Sequence, residues 1–213
     1  MSATTRPRKR NPRGEGERLR AALIDACGEL LLERGTSEGL SIRAVTSRAG
    51  VSPTALYLHF ADLDELLAAV CDEAFEELVA YLVGAAAGSD GDPRDELRAM
   101  GRAYVDFAEQ RPGLYRILFA TPARGVTSPQ EGSDPGMDAF AALVVATERC
   151  VGKGAHAAEI AVQLWTALHG FVTLRTVLPA DKPGLPAFPT ADEFLDRLFA
   201  AYVAPPARRG KSV

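Results

Sequence analysis

Leu19, Ala22, Leu23, Ala26, Leu30 and Leu31 recur at steps of three and four between polar residues, and the pattern stops at Gly35. This spacing predicts an amphipathic helix ended by a glycine. Ser41 is placed to cap a second helix running to Ala49, with Ile42, Val45 and Ala49 inward, before Gly50 breaks it. Ser52 followed by Pro53 suits an N-cap and first helical position, because proline lacks only an N–H that would be orphaned there anyway. A third, short helix is therefore expected from Pro53 to His59. Asp62 and Glu65 make a capping-box pattern with Asp in place of Ser/Thr, and Asp64 adds negative charge in the first turn of a fourth helix reaching Val83.

Residues 84–92, rich in Gly and Ala, read as a turn, and helical patterning returns over 93–110 and 112–119. The segment 121–136 holds three Pro and three Gly and reads as a loop. Helices are expected again over 137–151 and 155–178, after which four prolines between Pro179 and Pro189 prevent another. Thr190 with Glu193 forms a capping box opening a last helix to Val203. No alternation of strand type competes, so the expected fold is all-α: a three-helix head and a six-helix body. The boundaries are a basic arm at 1–14, the head at 15–60, the body at 61–204 and a tail at 205–213.

The net charge of −4 is unevenly placed. Residues 1–60 carry ten Lys/Arg against six Asp/Glu, whereas residues 61–213 carry fourteen against twenty-two. Phosphate binding is driven by cations, so the basic end is the candidate nucleic-acid end. Arg6, Arg8, Lys9, Arg10 and Arg13 stand among Pro7, Asn11, Pro12 and Gly14, a composition that forms no packed element. It serves either as a solubilising tail or as a DNA-gripping arm. Three cysteines at wide spacings indicate neither a disulfide framework nor a metal site, which fits a reducing cytoplasm. No apolar stretch is long enough to span a bilayer, and no secretion signal is read.

Leu40, Ile42, Val45, Ala49, Val51, Leu56 and Phe60 would close the first three helices into a compact helix-turn-helix unit. The third helix is too short to stand alone, so its outer face is the candidate for contact. Ser52, Pro53, Thr54 and Ala55 open that helix, with Tyr57 and His59 one turn on. Thr54 offers a hydroxyl and a methyl to base edges, and Ala55 permits close approach. Ser41, Arg43, Tyr57 and His59 can bond phosphate oxygens, which fixes register without reading sequence.

The string SIRAVTSRAGVSPTALYLHFADLDELLAAV resembles the signature of the TetR/AcrR family of one-component regulators over about residues 18–70. The resemblance implies a homodimer whose heads enter successive major grooves of an inverted-repeat operator. It places Arg43 and Thr54 near bases or phosphates, and Tyr57 and His59 on the backbone. Two positions depart from the common pattern: many members carry Lys at the place of Leu63 and an aromatic or basic residue at that of Leu58. The segments EQRPGLYRILF and WTALHGFVTLR resemble the C-terminal domain of a subgroup named for a Trp-His-Gly motif, matched by Trp165, His169 and Gly170.

The body holds more aromatic residues than a DNA-binding head requires, and a helical bundle can enclose a small molecule. Tyr104, Phe107, Leu118, Phe119, Trp165 and His169 are the candidate lining of a pocket for a small apolar inducer. The helix over 155–178 is apolar nearly all round and needs burial on two sides. The last helix shows the same excess. Leu164, Leu168, Phe171, Leu195, Phe199 and Tyr202 are therefore candidates for a dimer interface, in the arrangement usual for the family. No cofactor, metal or membrane partner is expected. A competing enzyme reading rests on His156, His169, Glu159 and Cys150, without any nucleophile elbow, phosphate loop or HExxH pattern to support it. A dimeric carrier that has lost DNA binding is the other alternative, resting on Leu58 and Leu63.

Overall fold

The computed structural model describes residues 15–89, 91–120, 135–178, 183–184 and 186–203. The expected arm at 1–14, most of the loop at 121–136 and the tail from 205 lie outside the described residues. Among these residues, the elements are all helical: α1 Glu15–Arg34, α2 Ile42–Arg48, α3 Pro53–Leu56, α4 Leu63–Ala87, α5 Pro93–Gln110, α6 Pro112–Ala120, α7 Pro135–Val151, α8 Ala155–Val177 and α9 Ala191–Tyr202. None is long and apolar enough to cross a membrane. The chain divides into two compact units, with the division inside α4 after Cys71; Phe119 groups with the first unit.

In the first unit, Glu15 and Glu17 open α1 and Arg34 closes it, each opposing the helix dipole. Gly35, at φ 70°, ends the helix by donating its N–H to Leu31 O at 2.8 Å. Leu23, Ile24, Cys27, Leu30 and Leu31 form the buried stripe of α1. Val45 from α2, Leu56 from α3 and Phe60 meet them in one core. Gly28 lets α1 approach α4, where a Cβ would stand 3.8 Å from a methyl of Val70. Burial, with Cys71 close by, pushes the Cys27 thiol up to about 12, so it packs as a small apolar group.

In the second unit α5 is the central element, capped by Asp92, whose side chain accepts from the Arg94 N–H at 2.8 Å. Its face Leu97, Met100, Gly101, Tyr104, Val105, Phe107 and Ala108 is buried. At Gly101, α9 comes so near that a Cβ would lie 2.9 Å from Leu195 Cδ2. Ion pairs flank the contact: Arg98 bonds Asp196 at 2.7 Å, and Arg102 bonds Asp192 at 3.0 Å. Phe171 of α8 and Phe194 of α9 stack with centroids 4.1 Å apart. The capping box of α9 forms as expected, with the Glu193 N–H donating to Thr190 Oγ1 at 3.2 Å and the Thr190 N–H donating to Glu193 Oε2 at 2.8 Å.

Three boundaries differ from the sequence reading. The helix α3 ends at Leu56, and the chain continues to Phe60 through short turns, including His59 N–H to Leu56 O at 2.9 Å. In turn, α4 runs through Gly84 to Ala87 rather than stopping at Val83, because the three alanines after Gly84 are the best helix formers and offset its cost of about 1 kcal/mol. Pro135, read as loop, is instead the opening residue of α7.

Replacing Gly101 by Leu forces bulk into the α5–α9 contact. We expect a loss of about 1–3 kcal/mol in unfolding free energy, read as a lower urea midpoint with unchanged slope.

Candidate functional site

The turn between α2 and α3 sets the geometry of the head. The Ser41 hydroxyl oxygen accepts from the Ala44 N–H at 3.3 Å and starts α2. At the other end, Gly50 adopts φ 69°. Val51 N–H then reaches Thr46 O at 2.9 Å and Gly50 N–H reaches Ser47 O at 3.3 Å, a Schellman closure. Thr46 is buried, and its hydroxyl donates back to Ile42 O at 2.8 Å. Ser52 holds extended backbone geometry at the N-cap of α3, with Pro53 at the first helical position.

Buried Val45 and Leu56 fix α2 and α3 from beneath, which decides what faces outward. Ser41, Arg43, Ser52, Pro53 and Thr54 are exposed, and Tyr57 is 57% exposed. Ala55 and His59 are half-buried. A Cβ on Gly16 would stand 3.6 Å from His59 Cε1, so the imidazole lies beside the start of α1. The two arginines of α2 differ in employment. Arg48 reaches Glu29 at 3.0 Å and Glu33 at 2.7 Å, binding α2 to α1, while Arg43 makes no ion pair among the described residues. Leu58 is exposed beside Tyr57, and Leu63 is half-buried at the start of α4.

The body candidates fall into two groups. Phe107 and Leu118 are buried packing residues, Phe107 lying 6.0 Å from the Tyr81 ring, and half-buried Phe119 belongs to the other compact unit. Tyr104 and His169 come together with Tyr115, which lies in the segment EQRPGLYRILF but is not among the six pocket candidates. Tyr115 Oη lies 2.7 Å from His169 Nδ1, Tyr104 Oη 3.2 Å from Tyr115 Oη, and Tyr104 Oη 3.3 Å from the same Nδ1. Nδ1 has room for one hydroxyl donor and Tyr115 is the nearer of the two, while the Tyr104 hydroxyl is also hydrogen-bonded by Trp165 and that of Tyr115 by Thr173. Burial raises both phenols above their ordinary range and lowers the imidazole below its own. All three are therefore neutral at pH 7. Trp165, one turn before His169 on α8, is 41% exposed and lies 6.0 Å from the Phe140 ring.

Of the six interface candidates, Leu164, Leu168, Phe171 and Leu195 are buried inside their own chain. Phe199 is half-buried near Gly101, and Tyr202 is partly exposed. The periodicity of a helix apolar on all sides does not say which side meets its own bundle. The outward strip of α8 carries Val162, Thr166, Gly170, Leu174 and Val177, and a Cβ on Gly170 would meet nothing within 4 Å.

Comparison with known proteins bears on the whole arrangement. The model for bacterial regulatory proteins of the tetR family matches residues 23–70, and that for a tetracyclin repressor-like C-terminal domain matches residues 97–202. An uncharacterized HTH-type transcriptional regulator of Mycobacterium tuberculosis is 31% identical over 67% of the chain. The HTH-type transcriptional activator FasR of Mycolicibacterium smegmatis is 34% identical over 68% of it. The matched part spans 64% and 62% of those two relatives, less than two thirds of their length. Among solved structures, a Rhodococcus protein of unknown function superimposes with a TM-score of 0.69 at 25% identity, covering 91% of this chain and 100% of that one. A TetR-family regulator from Streptomyces coelicolor shares the fold with a TM-score of 0.60 at 20% identity, over 86% of this chain and 96% of its own.

The histidine in the tyrosine cluster has a pH signature. Its folded-state pKa lies below the ordinary 6.5 because burial penalises the imidazolium. The unfolded chain takes up this proton first, so the contribution to stability is whole above about pH 6.5 and is lost as pH falls through the folded value. Glu33 and Glu193 are held below the ordinary carboxylate range by bonds from Arg48 and Thr190, and titrate lower. Melting temperature should decline from about pH 6.5 downward, with a smaller decline over that window in His169→Phe.

Proposed function

We propose, for a chain that belongs to the tetR family of bacterial regulatory proteins, that two copies bind one inverted-repeat operator through the outer faces of α2 and α3, and that a small apolar molecule in the helical body releases them. The observation that carries this reading is the outward row Ser41, Arg43, Ser52, Pro53, Thr54 and Tyr57, held on two helices whose other faces are buried. Thr54 supplies the base-directed hydroxyl and methyl, and the N-terminal turn of α3 approaches the groove over Pro53 and Ala55. Arg43, Ser41 and Tyr57 bond phosphates. Half-buried His59 reaches the backbone from the edge of the head. Paired recognition helices then stand roughly 34–36 Å apart, one turn of DNA.

Pairing of two copies uses the uncovered strip of α8 around Gly170, together with exposed Tyr202 of α9, rather than the four leucine and phenylalanine positions spent inside the chain. This strip carries no Lys, Arg, Asp or Glu between Ile160 and Leu174. An isologous contact sets a patch against its own copy, and an uncharged patch meets itself without like-charge repulsion. Release follows as a population shift, since a ligand that prefers one state of the body draws the protein toward it. Repression by occlusion is the first reading of the sign. The Mycolicibacterium smegmatis relative is named an activator, which favours activation as the second. A reporter behind the operator separates them, because deleting the regulator raises expression in the first case and lowers it in the second.

Fluorescence anisotropy with a duplex bearing an inverted repeat from beside the gene tests the DNA reading. Affinity should fall steeply with salt, and Arg43→Ala should reduce the slope of log K against log salt by about 1 per head. Tyr57→Ala should weaken all duplexes alike by roughly fivefold, about 1 kcal/mol, whereas Thr54→Val should also change operator preference. Equal affinity for random duplex with a flat salt response would overturn the reading. For the pairing, Thr166→Arg should convert the dimer to a helical monomer in sedimentation; an unchanged mass places the interface elsewhere.

A further inference from the structure

Leu58 is 65% exposed, more than Tyr57 beside it, and the contacts proposed so far leave it unused. Its direction follows from the backbone. The right-handed turning of α3 continues past Leu56, through Leu58 N–H to Ala55 O at 3.3 Å, His59 N–H to Leu56 O at 2.9 Å and Phe60 N–H to Leu56 O at 3.0 Å. Leu56 and Phe60 are the buried residues of 53–60, and Leu58 stands midway between them in sequence. At about 100° per residue it lies roughly 160–200° round from each, so it points away from the core. Thr54, one turn earlier, shares that outward side, and half-buried Ala55 borders it. Three methyl-bearing side chains thus form a strip along the outermost line of α3. The strip has a cationic frame: residues 39–61 contain no Asp or Glu, and Arg43 is exposed without an ion pair among the described residues. An apolar strip in such a frame suits a polyanion with apolar points on its surface.

We propose that Leu58 reads the C5 methyl of a thymine in each operator half-site, with the Thr54 methyl and Ala55 extending the same apolar strip. The inference rests on the DNA-binding reading above and adds a specificity-determining residue to it. In the major groove the thymine methyl is the apolar group among base edges that otherwise present hydrogen-bond donors and acceptors. An isobutyl side chain pressed against any other edge would strip water from a polar group without replacing its hydrogen bond. Against a methyl, both partners lose only apolar exposure, which is favourable. Leu58 therefore selects a base by what its neighbours cost as much as by what thymine returns. Because leucine carries no charge, this contact releases no counterions and leaves the salt dependence of binding to Arg43 and the other phosphate contacts.

Uracil keeps the pairing and the hydrogen-bonding edge of thymine and lacks only the methyl. The probe is the inverted-repeat duplex of the anisotropy experiment, bound by the full chain, with each thymine replaced in turn by uracil in one half-site and then in both. At least one position per half-site should be sensitive, losing about fourfold in affinity with one half-site altered and about fifteenfold with both, the value of one buried methyl at each. Leu58→Ala should weaken binding to the thymine duplex, leave the slope of log K against log salt unchanged, and abolish the uracil penalty at that position, so that protein and DNA changes together cost no more than either alone. Leu58→Met, which keeps the apolar reach, should restore the penalty. A half-site with no sensitive thymine overturns the assignment, as does a uracil penalty that survives Leu58→Ala at every sensitive position. Selective, salt-dependent binding in either case leaves the DNA-binding proposal standing, whereas equal affinity for random duplex removes both.

Discussion

The four residues of α3 cannot hold a helix by themselves, since nucleating a turn costs more than so few hydrogen bonds return. Their conformation is imposed from outside, by Leu56 sealed into the head and by Phe60 just beyond it. From that constraint follow the other features of the head. One side of α3 must be buried, so Pro53, Thr54 and Tyr57 must be outside. A fixed angle to α2 requires a sharp reversal, which the two hydrogen bonds around Gly50 supply. Placing α2 in turn requires α1, and the Arg48 fork to Glu29 and Glu33 acts at the rim of that contact, where solvent-exposed ion pairs orient more than they stabilise.

The body works by a different economy of contacts. Its α5 is buried along most of one face, and the absence of a side chain at Gly101 brings α9 close enough for Leu195 and Phe199 to cover it. Aspartates of α9 meet arginines of α5 along the edge of this contact. The seam between α5, α6 and α8 departs from apolar packing, and there the two tyrosines and the histidine satisfy one another. A buried polar group without a partner is costly, so the three positions are coupled: altering any one of them changes the hydrogen bonding of the other two.

Much of this was legible in the sequence because it is written in local chemistry. Ser41, Asp62 with Glu65, and Thr190 with Glu193 announce helix starts through side chains that bond the first free N–H groups, and the structure shows each doing so. Gly35 and Gly50 announce ends through a backbone conformation that other residues resist. What escaped was set by tertiary context. Nothing local distinguishes Leu164 facing its own bundle from Val162 facing away, because both belong to an uncharged stretch. Tyr115 carries no local sign of its partner, because its hydrogen bond is to His169, fifty-four positions on. The run Gly84 to Ala87 carries opposing signals, with glycine favouring a turn and alanine a helix, and the helix continues.

Gly50 also bears on how such a head drifts. A Cβ placed there meets nothing within 4 Å, so the restriction comes from the backbone angle of 69° and not from crowding. Every amino acid reachable from a glycine codon by one base change carries a Cβ, and each must then take up a left-handed conformation at roughly 1–2 kcal/mol, aspartate least. Natural variation can thus redraft the outward residues of α3 one at a time while the hinge that aims them tolerates little but synonymous change, so operator preference evolves on a mount that stays fixed.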